Sequence, residues 1–288
     1  MFFIRLLSRL PFSVLYLISD FCFLIAYHVI RYRRKLVQKN LRNSFPEKPA
    51  VEIARIEKEF YRNLCDYAVE TLKLLTISRE ELGRRMQFEH PEVLEGFASK
   101  NQSIIFLASH HFNWEWSLVA ACFAFPFKID FVYQPVNNKF FDRLSLALRT
   151  RFGAYAIRRE DVAREMVKRK NILRGVATVA DQYPGYKKDK KFSTEFLHQP
   201  TVFFLGTNSM AVLSQYPAVY YSLRKLKRGY YLGTPHVVGM PPYDKNGTTM
   251  LENYIREVEK LTKEHPSSWL WSHNRWKKRH LQEQATDT

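Results

Sequence analysis

Cysteine is scarce in this chain: its 288 residues contain three, Cys22, Cys65 and Cys122. They are odd in number, widely separated and without paired metal-ligand spacing, which excludes a disulfide framework and points to a reducing compartment. All three read as apolar filler, since no histidine stands near them in sequence to support a thiolate nucleophile. Acidic residues are also in deficit, 28 against 45 Lys and Arg, for a net charge of +17. Such a surface expects an anionic partner: nucleic acid, an anionic membrane or an acidic protein. No recognisable nucleic-acid-binding motif accompanies the charge, so no nucleic-acid partner is expected. Internal repeats and low-complexity tracts are absent, and nothing marks a separable linker. The length suffices for one large core with a helical extension, and no second catalytic domain is indicated.

One long apolar run is present. Residues 10–30, LPFSVLYLISDFCFLIAYHVI, are long enough as a helix to cross hydrocarbon, and Arg31-Tyr32-Arg33-Arg34-Lys35 follows at once. No small-residue cleavage site follows the run, as a removed signal peptide would need. The expectation is a membrane anchor over residues 1–32, with residues 33–288 forming one domain on the cytoplasmic side. Arg5 and Arg9 reduce the charge asymmetry, and Asp20 and His28 interrupt the run, so a helix lying in the interface is the open alternative.

Beyond the anchor, apolar positions at Ile53, Ile56, Phe60, Leu64, Tyr67, Ala68, Leu72 and Leu75 keep helical spacing and predict an amphipathic helix over 51–75. Strands are predicted over 103–109, 128–133, 175–180, 201–205, 218–223 and 230–238. Helices are predicted over 114–125, 139–151, 161–170, 207–215 and 249–264. This alternation predicts an α/β fold, a sheet flanked by helices.

The strand over 103–109 delivers Ser109-His110-His111-Phe112-Asn113-Trp114-Glu115-Trp116, with Asn113 as the expected N-cap of the next helix. A base and a carboxylate thus meet at a carboxyl strand end, where open α/β folds hold ligands. An imidazole whose other nitrogen faces a carboxylate is a general base for an alcohol. His111, four positions before Glu115, is a competing candidate if the helix starts early.

Further blocks extend the pattern. Arg33-Arg34 precede Asn40-Leu41-Arg42-Asn43-Ser44-Phe45-Pro46, and Tyr133-Gln134-Pro135, Asn137-Asn138 and Asp142 come later. Arg149, Arg151, Asp181-Gln182 and Gly185 follow, and Trp271-Ser272-His273-Asn274-Arg275-Trp276-Lys277 closes the series. In this order, nearly end to end, the blocks resemble the late acyltransferases of lipid A biosynthesis, in the lysophospholipid-acyltransferase-like superfamily. His110 with Glu115 resembles that family's H-x4-E motif. Phe112 departs from the glycine many members carry, and cannot give a glycine's close backbone approach.

The resemblance implies a mixed sheet of the glycerolipid-acyltransferase type and an O-acyltransferase at the bacterial inner membrane, its catalytic domain on the cytoplasmic face. It implies His110 and Glu115 as a general-base dyad, acyl carrier protein as thioester donor and a lipid A precursor as acceptor, with no metal and no cofactor. An aminolipid or glycolipid acceptor is the alternative within the same chemistry. Asn113, Arg149, Arg151, Asp181 and Gln182 form the expected substrate-contact set, the arginines facing a phosphate or an oxyanion. Trp269, Trp271 and Trp276, interleaved with Arg275, Lys277, Lys278 and Arg279, suit either an interfacial belt or the edge of the core. Lys187, Lys188, Lys190 and Lys191 suit either an anion-binding patch or a solvated loop.

Overall fold

The computed structural model describes residues 2–185 and 189–277, so Lys187, Lys188, Lys278 and Arg279 lie outside the described residues. The chain opens with α1 (Phe2–Arg9), α2 (Phe12–Leu24), which continues through a π-helical turn at Ile25–Val29, and α3 (Arg34–Ser44). The amphipathic helix follows as α4 (Ala50–Lys73), then α5 (Arg79–Arg85), β1 (Met86–Phe88), α6 (Pro91–Ala98), β2 (Ile104–Ala108) and α7 (Trp114–Ala124). Next come β3 (Lys128–Tyr133), α8 (Lys139–Arg149), β4 (Tyr155–Arg158), α9 (Val162–Lys168) and β5 (Arg174–Val179). A hairpin of β6 (Lys191–Phe196) and β7 (Gln199–Phe204) leads through α10 (Gly206–Ser214) to β8 (Ala218–Lys227), β9 (Tyr230–Gly239) and α11 (Thr249–Glu264).

Seven strands form one sheet in the order β1-β9-β8-β2-β5-β3-β4. All neighbours run parallel except the β8/β9 hairpin, so the sheet is mixed and carries helices on its faces, as expected. Every residue of β2 is buried, the mark of a central parallel strand covered on both sides. Ile105 and Leu107 join the core cluster that includes Phe60 of α4 and Tyr254 of α11, while Ile104 and Phe106 join the opposite one with Leu94 and Phe125. This is the period-2 alternation of a strand. Strands β1, β4 and β6 were not predicted; β1 and β4 are too short to display any periodicity.

The C-terminal tryptophans belong to the core rather than to an interfacial belt. Trp269 is 2% exposed and Trp271 is fully buried. Asn40 of α3 donates to the Trp271 carbonyl at 3.0 Å, and Arg33 donates to the Ser272 carbonyl at 2.9 Å. The basic N-terminal block and the C-terminal block, distant in sequence, are therefore one packed unit.

Candidate active site

The parallel register of β2 and β5 builds the centre. Ala108 pairs with Val179, and two residues beyond each strand end stand His110 and Asp181. The Asp181 carboxylate accepts from His110 Nδ1 at 2.6 Å and from the His110 backbone N–H at 2.9 Å. Trp269 Nε1 donates to it at 2.6 Å. Burial alone would raise the Asp181 carboxyl, but the His110 charge and these hydrogen bonds hold it well below the usual carboxylate range. An ionised carboxylate there keeps the proton on Nδ1, which leaves Nε2 as the basic nitrogen.

His110 lines a cavity of about 390 Å³. Its floor is apolar: Phe106, Leu118, Phe131, Val132, Ala177 and Val179 contribute. Phe106 and Phe131 are both in register with Ala177, so one rung of the sheet reads large, small, large, and the alanine leaves a groove. Polar groups gather elsewhere on the wall, among them Gln134, Asp142, Arg149, Arg159 and Gln182. An apolar recess with a few convergent polar groups is the usual form of a small-ligand site.

Glu115 does not contact the imidazole. Its carboxylate forms a fork with Arg149, accepting from Nε at 2.8 Å and Nη2 at 2.5 Å, and accepts from Trp114 Nε1 at 3.2 Å. Burial would raise Glu115, but the Arg149 guanidinium outweighs it and the carboxyl lies low. The carboxylate expected on the second imidazole nitrogen is thus supplied by Asp181. Glu115 sits on the first turn of α7, where its side chain reaches the last turn of α8 instead.

The expected substrate contacts divide. Arg149 and Gln182 line the cavity with His110 and Glu115. Asp181 is buried behind His110. Asn113 is fully buried; its Oδ1 caps α7 by accepting from Trp116 N at 3.2 Å, and its Nδ2 donates to Glu70 at 3.0 Å. It shapes the turn and does not line the His110 cavity. Arg151 also stands apart, donating at 2.6 Å to the Leu74 carbonyl just past the end of α4. His111 is sealed in the core between Ser109 Oγ at 2.7 Å and Thr262 Oγ1 at 3.2 Å, and burial pushes it down to about 3. Phe112, the departure noted in the motif, stacks among Phe60, Tyr67 and Trp114 as part of an aromatic ladder.

Glu70 was not anticipated. Fully buried, it accepts from Asn113, from Tyr231 OH at 2.7 Å and from Tyr16 OH at 2.9 Å, while its carbonyl accepts from Trp116 Nε1 at 2.8 Å. It therefore holds the turn that carries His110 to Glu115. The available signal was Asn63, Asp66 and Glu70 at helical spacing, three polar residues on the buried face of α4.

No curated protein matches the chain significantly. The profile of the bacterial lipid A biosynthesis acyltransferases matches residues 1–278. With the α/β sheet and the histidine-bearing apolar cavity in place, the chain belongs to the bacterial lipid A biosynthesis acyltransferase family.

Proposed function

We propose that this protein is a membrane-associated O-acyltransferase that moves a fatty acyl group from an acyl carrier protein thioester to a hydroxyl of a lipid A precursor. The reaction takes place on the cytoplasmic face of the inner membrane. The observation that carries this reading is His110, held through Nδ1 by a buried carboxylate and opening on an apolar recess.

His110 Nε2 takes the proton from the acceptor hydroxyl as its oxygen attacks the thioester carbonyl carbon. The tetrahedral intermediate collapses with cleavage of the C–S bond, and the thiolate leaves with the proton that His110 returns. Products are an ester and a free carrier thiol, so no metal or nucleotide is consumed. Asp181 fixes the tautomer and stabilises the transient imidazolium. Arg149 is the donor for the oxyanion, and Glu115 acts through it, aiming the guanidinium that it binds at two nitrogens. The apolar floor takes the acyl chain. The acidic carrier protein is drawn by a chain of net charge +17.

The test is acyl transfer from a panel of carrier-protein thioesters to lipid A precursor, read by mass spectrometry for wild type and His110→Ala. One added acyl chain in wild type, lost in the variant, supports the reading. Thioester consumption with no gain on the precursor, but a gain on an aminolipid or glycolipid, moves the acceptor and keeps the chemistry. No thioester consumption with any chain length overturns it.

A further inference from the structure

The apolar N-terminal run has two unlike faces. Leu15, Ser19, Phe23 and Tyr27, four residues apart, are buried on one side. Val14, Leu17, Phe21 and Leu24 are exposed on another, Leu17 at 69% and Phe21 at 63%. At 3.6 residues per turn the two stripes are about 160° apart, nearly opposite. At the end of the helix Val29 and Ile30 continue the exposed apolar surface, and Phe3 and Leu6 of α1 precede it.

The helix is fastened to the catalytic domain by hydrogen bonds and one ion pair. Ser19 Oγ donates to Asp66 at 2.7 Å and Tyr16 OH donates to Glu70 at 2.9 Å. Arg228, at the tip of the β8/β9 hairpin, pairs with both Asp20 at 2.7 Å and Asp66 at 2.6 Å, and Lys225 lies 3.3 Å from Asp66. Asp20 stands midway along the 18-residue apolar stretch Phe12–Val29. A helix crossing the bilayer would therefore carry Asp20, Asp66, Arg228 and Lys225 to the hydrocarbon centre together, where ionised groups are costly. Lying flat, the same helix leaves that seam on the protein side and buries only the outer stripe.

We infer that α1 and α2 form an in-plane platform whose partner is an anionic lipid surface, with both ends of α2 on the same side of the membrane. The inference rests on the membrane association proposed above and adds its topology. Exposed cations flank the stripe at both ends, Arg5 and Arg9 before it and Arg31 and Lys35 after it. That arrangement matches an interfacial helix with headgroup contacts at each end, whereas the positive-inside bias of a span favours cations on one side. The platform also reaches the catalytic turn, since the Glu70 that binds Tyr16 binds Asn113 as well.

The experiment uses the full chain in inverted inner-membrane vesicles, with Arg9→Cys and Arg31→Cys made separately in a Cys22→Ser background. An impermeant maleimide is added with and without detergent. Labelling of both variants without detergent is the expected result. Labelling of the Arg9→Cys variant only after detergent identifies a span and overturns this topology, while membrane association stands. A chain found wholly in the soluble fraction overturns membrane association and this inference together. The pair Leu17→Ser and Phe21→Ser, remote from the cavity, lowers the membrane-to-soluble ratio at least ~10-fold while activity on detergent-dispersed substrate holds. An unchanged ratio removes the stripe as the contact.

Discussion

Asp181→Asn isolates the role of the carboxylate behind His110. The two carboxylate oxygens are not equivalent: Oδ2 receives both the His110 backbone N–H and Trp269 Nε1–H, whereas Oδ1 receives His110 Nδ1 alone. An asparagine must present its carbonyl oxygen to the two fixed donors, because the opposite flip sets an NH2 against both and leaves them unsatisfied, at about 1–3 kcal/mol each. Its NH2 then faces Nδ1, the imidazole proton moves to Nε2, and the nitrogen that must accept the hydroxyl proton is already occupied. The equivalent exchange in a hydroxyl-activating triad costs ~10⁴-fold in kcat. That corresponds to about 5.5 kcal/mol in the barrier. The depressed Asp181 pKa gives the pH dependence: its stabilising contribution is complete above the unfolded value near ~3.9 and is lost only as pH falls through the lower folded value. Asp181 is therefore ionised in the wild type at every pH from about 5 upward, and Asp181→Asn removes a carboxylate that is charged throughout the assay range. Single-turnover acyl transfer read by mass spectrometry, with Tm measured in parallel, makes the test. A variant within about tenfold of wild type, with Tm unchanged, refutes the assignment. A loss in Glu115→Gln is expected as well, because Glu115 aims Arg149, and it leaves the Asp181 assignment untouched.

Arg149→Ala leaves Glu115 buried without its partner, so thermal melts and kinetics are expected to fall together, Tm by roughly 5–10 °C. The double variant Glu115→Gln with Arg149→Gln regains part of the stability but none of the turnover, and additive losses in that cycle would rule out coupling. Glu70→Ala orphans the Asn113 amide and the Tyr231 and Tyr16 hydroxyls, and is expected to cost ~3–5 kcal/mol by denaturant unfolding. Glu70→Gln retains most of that stability. Ala177→Phe fills the groove between Phe106 and Phe131, and competition between thioesters is expected to show the longest accepted chain losing at least ~10-fold against shorter ones. Unchanged chain preference would show that the acyl group lies elsewhere.

What could be read directly from the residue order is what depends on near neighbours. The spacing from Ile53 to Leu72 is helical whatever it packs against, and α4 occupies nearly the predicted range. The unbroken β-branched and aromatic run of β2 marks a central strand, and Asn113 caps α7 through a residue only three positions on. The order of the motif blocks carried the family assignment without any geometry. Pairings across the sheet could not be read this way, because they depend on strand order and register. His110 and Asp181 lie 71 residues apart, and only the adjacency of β2 and β5 brings them to 2.6 Å. Glu115 looked like the partner of His110 because it is close in sequence; the approach of α8 gives it Arg149 instead. Likewise the apolar stretch Phe12–Val29 satisfies the length and composition of a span, but Arg228, more than two hundred residues later, pairs with Asp20 in its middle. Residue order therefore determined the elements and the family. Tertiary packing decided which charges meet, because a buried charge is stable only beside the partner that the fold delivers to it.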